Sequence, residues 1–377
     1  MAETKNLNNK IPAKKISKIV FIIWTSAHHH FFKNIIIELS KQSDTKIYIL
    51  VRRFKNIEKL FKEYNLAYSI IAIQRDNFFL KILENILSIF KILFKITRIY
   101  PDLIIGCGSV GGAVASFTLR IPSIMFEDDE VTYFQQIFYF PFIKYIIVPE
   151  KFRKSFGKKE IRLIGYKELA YLHPNWFNPD KNILRVYGLA KGDKYVVIRL
   201  NTWDAYHDIG QKGISQSSIK NLINTFSRYG KVLISTEKDL PQQYSKLMIH
   251  DPTHIHHILS YASLLFSDTQ TMATEGAILG TPVVRTNSFV GENDMSNFIE
   301  LEQDYGLMFN LRSFEEAQKK AVELLQQKDI KEIWREKRNK LLQNKIDVSR
   351  FLIWFIKNYP TSIKIIKQDK SFQLRFR

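Results

Sequence analysis

The stretch LLFSDTQTMATEGAILGTPVV, residues 264 to 284, decides the fold. LLF (264–266) is a short apolar run, PVV opens another, and a run of small residues ending at Gly280 lies between them. This reads as strand, loop, short helix and strand. In α/β proteins the loop leaving a strand's C-terminal end is where ligands bind, and the free N–H groups of the following helix start suit phosphate. Glu275, about one turn into that helix, is placed to accept hydrogen bonds from a sugar hydroxyl. The plainer alternative is a solvated helix with a routine capping Asp or Thr.

Outward from this unit, KYVVIRL (194–200), KVLIST (231–236) and LMFNL (307–311) complete a set of five strands with LLFSD and PVVRTN (282–287). A first set precedes it: KIVFIIW (18–24), KIYILVR (46–52), YSIIAI (68–73), DLIIGCG (102–108), PSIMFED (122–128) and YIIVPE (145–150). All are short, β-branched and nearly continuously apolar, as parallel strands buried on both faces are. Helical patterns between them, such as FFKNIIIELSKQ (31–42), IEKLFKEYN (57–65) and GGAVASFTLR (111–120), give the alternation of a doubly wound sheet. The expected class is α/β, with two Rossmann-like domains facing a cleft. The expected boundaries are a polar tail over 1–17, a first domain over 18–167, a linker over 168–193 rich in proline and aromatic residues, a second domain over 194–330, and a C-terminal helix and basic tail over 331–377. The region from about 313 to 358 reads as long, charged and helical.

The chain has 377 residues, 45% of them hydrophobic, enough for two cores. A formal net charge of +19 asks for an anionic partner: nucleic acid, lipid headgroups or a phosphorylated small molecule. Basic residues are scattered among Ile and Phe, without zinc-finger spacing or an RNP-like run, so nucleic acid is not expected. Cys107 is the single cysteine, which excludes an intrachain disulfide and a cysteine-rich metal site and fits a reducing compartment. The N-terminus lacks the apolar core of a signal peptide, and the cytoplasm is the expected location.

The segment FFLKILENILSIFKILFKITRI (78–99) predicts a helix whose polar positions Lys81, Glu84, Asn85, Ser88, Lys91, Lys95 and Arg98 fall within about 140° of arc. Two fates suit so wide an apolar face: an interfacial helix on the inner face of the plasma membrane, or a helix packed over the sheet.

Chemistry-bearing residues cluster at strand ends. WTSAHHHFF (24–32) places three histidines where the first sheet opens into the cleft, and His28 and His30 are candidates for a general base or a phosphate contact. Consecutive residues point apart, so a metal trio is not expected. FEDDE (126–130) ends the fifth strand with four acids whose mutual repulsion raises carboxyl pKa values, making Glu127 and Asp128 base candidates. A divalent metal there is not excluded, but no ligand pattern names one. GCGSVGG (106–112) matches no phosphate-loop pattern and marks close backbone approach. Arg199, ending the first strand of the second domain, suits a pyrophosphate, and the long aromatic loop NTWDAYHDIGQKG (201–213) follows it.

HHHFFKNIIIEL, IGYKELAYLHP (164–174) and SDTQTMATEGAILGTPVV together resemble a bacterial and archaeal family of unknown function, related to the UDP-N-acetylglucosamine 2-epimerases and to glycosyltransferases of the GT-B fold. The resemblance spans about residues 18 to 330. It implies a nucleotide-sugar site in the second domain and an acceptor side in the first. Glu275 matches the acid that holds the ribose; Asp268, Thr269, Gln270 and Thr271 lead into it, the last three at the diphosphate, where the epimerases carry Ser-Gly-Gly. Glu127 matches a catalytic glutamate of the epimerases, but DDE replaces the glycine-leucine-arginine after it, and GCGS lacks their preceding aspartate. These departures favour transfer of a sugar to a surface-polysaccharide or lipid-linked acceptor over 2-epimerisation of the donor. A non-catalytic sugar-nucleotide-binding protein is the third reading. No cofactor is implied beyond the nucleotide sugar as substrate.

Overall fold

The computed structural model describes residues 16–377 apart from 55, 64, 76, 132, 191, 202–213 and 238–239. The expected tail over 1–17 and the loop over 201–213 therefore lie almost wholly outside the described residues.

The first sheet comprises β1 (Lys18–Ile23), β2 (Lys46–Arg53), β3 (Ser69–Ile73), β4 (Leu103–Cys107), β5 (Ser123–Phe126), β6 (Tyr145–Pro149) and β7 (Glu160–Leu163), in the order β3-β2-β1-β4-β5-β6-β7. The second comprises β8 (Tyr195–Leu200), β9 (Lys231–Thr236), β10 (Leu264–Ser267), β11 (Val283–Arg285) and β12 (Met308–Asn310), in the order β12-β11-β10-β8-β9. Every pairing is parallel. Central strands are buried on both faces: Ile19 to Ile23 of β1 are each at most 1% exposed. At about 1.5–3 kcal/mol per large apolar side chain, that continuous run gives the strand its place at the centre.

The edge strand β7 is absent from the sequence reading. It is four residues long and buries only Ile161 and Leu163, too short and too alternating to announce itself. The three histidines, expected where the first strand ends, lie on the helix Ser26–Ser40, because Thr25 takes an extended backbone and its hydroxyl accepts from the His28 N–H, capping the helix. In GCGSVGG the close approach is real: a Cβ on Gly111 would lie 2.6 Å from Ile92 Cδ1 of the crossing helix Phe78–Ile99.

The charged region 313–358 is three helices, Phe314–Gln326, Ile330–Asn344 and Val348–Lys357. The last returns to pack on the helix Ser26–Ser40 of the first domain, and its Ser349 Oγ donates to the Ala170 carbonyl in the segment between the sheets at 2.6 Å. Farther on, the Gln373 side chain bonds both Ile164 N–H (3.1 Å) and the Arg162 carbonyl (2.7 Å) beside β7. The chain end thus staples the first domain.

In each sheet the strand order reverses once, between β1 and β4 and between β8 and β10. Such switch points open crevices at strand C-termini. His28 to His30 follow β1 and Cys107 ends β4; Arg199 is the penultimate residue of β8 and Asp268 follows β10.

Candidate functional site

On the second sheet, β10 runs into the helix Thr271–Leu279, which Gly280 closes in the left-handed conformation at φ 80°. No side chain caps the helix start, where Gln270 stands in the αR region. The first-turn amides are left as donors beside a switch point. By contrast, the helix Val110–Leu119 after β4 is capped by Ser109, whose hydroxyl accepts from Gly112 N–H at 3.1 Å. Asp268 is fully buried and accepts from Asn201 N–H (2.7 Å) and Ile214 N–H (3.1 Å). Thr269 exchanges hydroxyl contact with Ser267 at 2.9 Å. Arg199 donates to Ser235 Oγ at 3.0 Å and Glu237 Oε1 at 3.2 Å.

Glu275 is buried, and its Oε1 accepts from Tyr171 Oη at 2.7 Å while lying 3.0 Å from His256 Nε2. Burial works against the carboxylate, but His256, the Tyr171 hydroxyl and Arg199 outweigh it and hold its pKa below the ordinary value. Among the described residues no hydrogen bond falls on Oε2, so two donors fix the carboxylate and leave its second oxygen as an acceptor. Tyr171 lies in the segment between the sheets, so Glu275 also ties that segment to the second domain.

The histidines diverge as successive helical positions must. His28 Nδ1 faces Trp24 N–H at 3.4 Å, and burial, then Lys167 and Arg52, lower its pKa to about 3. His29 packs on Phe61, with ring centroids 4.5 Å apart. His30 turns toward the second domain, its ring centroid 5.4 Å from Tyr171 and 5.0 Å from His256; burial, then His256, push its pKa well down. These imidazoles are neutral at pH 7.

The four acids after β5 separate onto different partners. Glu127 accepts from the Tyr139 hydroxyl and from Asp129 N–H (3.1 Å); burial, then Asp129, raises its pKa to about 8. Asp128 pairs with Lys167 Nζ at 2.6 Å and is 28% exposed. Asp129 accepts from Val131 N–H at 3.0 Å, closing the turn. Glu130 crosses the cleft and takes both the Ser296 N–H (2.5 Å) and its hydroxyl (3.0 Å) at the start of the helix Ser296–Gln303. Glu127, Asp128, Cys107 and Lys167 line one cavity between β4, β5 and β6. Burial, then Asp128, pushes the Cys107 thiol up, so it is no nucleophile. Burial opposes the Lys167 ammonium, but Asp128 and Glu168 prevail and raise its pKa.

Tyr171, His256 and Lys167 were not among the residues singled out by sequence. Lys167 and Tyr171 lie in IGYKELAYLHP, quoted above for resemblance only, and THIHHIL (253–259) carries a histidine cluster that could have marked His256.

Two doubly wound domains with both switch points on one cleft define a GT-B-type architecture. The chain belongs to the family described as protein of unknown function (DUF354), whose model matches residues 18–349. No curated protein matches it. Among solved structures, a Staphylococcus aureus MnaA–UDP co-structure superposes with a TM-score of 0.66 at 13% identity, covering 93% of this chain and 98% of that one. The UDP-N-acetylglucosamine 2-epimerase from Rickettsia bellii gives 0.63 at 16% identity, covering 95% and 100%. The spinosyn forosaminyltransferase SpnP gives 0.59 at 12% identity, covering 89% and 99%. At these identities the likeness shows the fold.

Proposed function

We propose that this protein is a GT-B-type glycosyltransferase that takes a sugar from a nucleotide-sugar donor on its second domain and passes it to an acceptor on its first. The observation that carries this reading is the helix start at Thr271, uncapped by any side chain and set at the switch point beside Arg199. Donor amides and a guanidinium together suit a diphosphate. Asp268 fixes Asn201 and Ile214; Thr269, Gln270 and Thr271 frame the diphosphate, and Glu275 Oε2 takes a ribose hydroxyl. The UDP bound in the S. aureus structure and the substrates named for the epimerases support a nucleotide sugar as donor.

Of the base candidates, Asp128 fits best. It is an ion-paired carboxylate that stays partly exposed, whereas Glu127 holds its proton at neutral pH, and the half-buried His28 and His30 turn to Trp24 and to the Tyr171–His256 pair. The acceptor hydroxyl gives its proton to Asp128 as its oxygen bonds the anomeric carbon. The bond from that carbon to the diphosphate breaks, and the electron pair leaves on the diphosphate, stabilised by Arg199 and the helix start. The acceptor is a surface polysaccharide or a lipid-linked glycan.

Epimerisation of the donor is the competing reading, favoured by the presence of two carboxyls, Glu127 and Asp128, in one cavity. Incubation with a panel of nucleotide sugars, with and without bacterial lipid extract, separates the two. Release of nucleoside diphosphate that requires the extract and fails in Asp128→Asn supports transfer; isomerised donor without extract replaces it with epimerisation.

A further inference from the structure

The helix Phe78–Ile99 is laid on its domain with its amphipathicity reversed. Its buried row is Glu84, Ser88, Ile92 and Ile96, so half of that row is polar. Its outward row is Phe79, Leu83, Ile86, Phe90 and Phe94, each between 48% and 78% exposed. An isolated water-soluble domain gains by turning such a row inward. Here the inward side is fixed by specific contacts. Glu84 accepts from Ile73 N–H at the end of β3 and pairs with Lys91 (3.3 Å), and Ile92 meets Gly111 where the next helix crosses. That next helix and the one beyond it add exposed Phe117 and Phe138 to the same layer. Contiguous apolar surface of this extent marks a contact site.

We propose that this face docks on an anionic lipid bilayer, lying in the interface with its phenylalanines among the acyl chains. Charge selects this occupant. The helix carries four basic residues, Lys81, Lys91, Lys95 and Arg98, and its single acid, Glu84, is buried and ion-paired. Arg98 reaches over the exposed Phe94 ring at 4.1 Å, and Arg75 stands half-exposed at the helix start, so cations rim the apolar row. Tyr100, 63% exposed, ends the helix, an aromatic suited to the headgroup level. Among the described residues no helix is long and apolar enough to cross a membrane. Docking is thus peripheral, driven by apolar burial and attraction to anionic headgroups. It stands apart from the transferase reading, since it uses none of the cleft residues.

The test is flotation of the purified full chain with vesicles of phosphatidylcholine alone or of equal parts phosphatidylcholine and phosphatidylglycerol, together with sedimentation of the protein without vesicles. The expected result is binding to the anionic vesicles, reduced at least about tenfold in a Phe90→Ser, Phe94→Ser variant and weakened by salt. Both positions are more than half exposed, so the variant keeps its core, and Leu83→Asp gives a second, independent disruption. Failure of the wild type to float, or equal flotation of the variants, overturns the proposal. So does a dimer that Phe90→Ser dissociates, which assigns the face to a second copy of the chain.

Discussion

Tyr171 and Glu275 are 104 residues apart in sequence, and the phenol donates to the carboxylate at 2.7 Å across the junction of the two domains. His256 lies 3.0 Å from the same oxygen. One carboxylate is thereby a joint of the fold, and in the donor site proposed above its second oxygen is the acceptor. Removing it leaves two buried polar groups without their partner, so Glu275→Ala is expected to cost about 3–5 kcal/mol of stability, while Tyr171→Phe costs about 1.5–3. Denaturant unfolding of the two variants measures both. The folded Glu275 pKa lies below the ordinary 4.5, so its contribution is full above that pH and is lost as pH falls further. Acid unfolding of Glu275→Gln should begin from a lower plateau and show a shallower acid limb.

Glu127 has the opposite sign. Its pKa rises from 4.5 to about 8 on folding, so the native state holds a proton that the unfolded chain has released. The associated stability is fully present below pH 4.5 and is lost as pH rises to about 8. Glu168 rises to about 8 as well and shares the window. Glu127→Gln keeps one oxygen to accept from Asp129 N–H and turns an amide N–H toward the Tyr139 oxygen, so it should be more stable than wild type at pH 8 and flatten the decline. A double variant with Glu168→Gln should flatten it further, read by thermal unfolding across that range.

Arg285 is fully buried, forked onto both oxygens of Asp294 at 2.6 and 3.1 Å, and stacked over Phe298 at 3.9 Å. It ends β11 and ties down the loop that follows. Asp294→Asn leaves the guanidinium buried without its counter-charge, an expected loss of about 3–5 kcal/mol. Asp294→Ala should cost no less, and chemical denaturation distinguishes these losses from the sub-kilocalorie changes of exposed pairs such as Lys41 with Glu38.

Glu130 caps the helix Ser296–Gln303 from the other domain. Glu130→Ala should cost about 1 kcal/mol, the ordinary worth of a cap. Faster amide exchange at the first turn of that helix and at Arg153, whose N–H Glu130 also accepts, is the expected signature, with exchange in β10 unchanged.

The sheets were legible because parallel strands buried on both faces read as continuous apolar runs: eleven of the twelve strands follow from them. The exception, β7, is an edge strand whose partners Ile146 to Pro149 bury it on one side only. The candidate residues at strand ends were legible too, since strand C-termini at switch points are fixed by topology. Their partners were not. Nothing local in FEDDE shows that Asp128 meets Lys167 or that Glu130 spans the cleft to Ser296, and the neutral histidines follow from burial that only the assembled helix creates. Likewise, the polar arc of residues 78–99 was readable, but which arc faces the domain depended on Glu84 finding β3.

The measurement that bears most directly on the central claim is a calorimetric titration of nucleoside diphosphates into the wild-type chain and into Arg199→Ala. A diphosphate site at the Thr271 helix start predicts saturable binding to the wild type, weakened about tenfold or more without the guanidinium. An absence of binding by every nucleoside diphosphate, or equal binding by Arg199→Ala, would contradict the account.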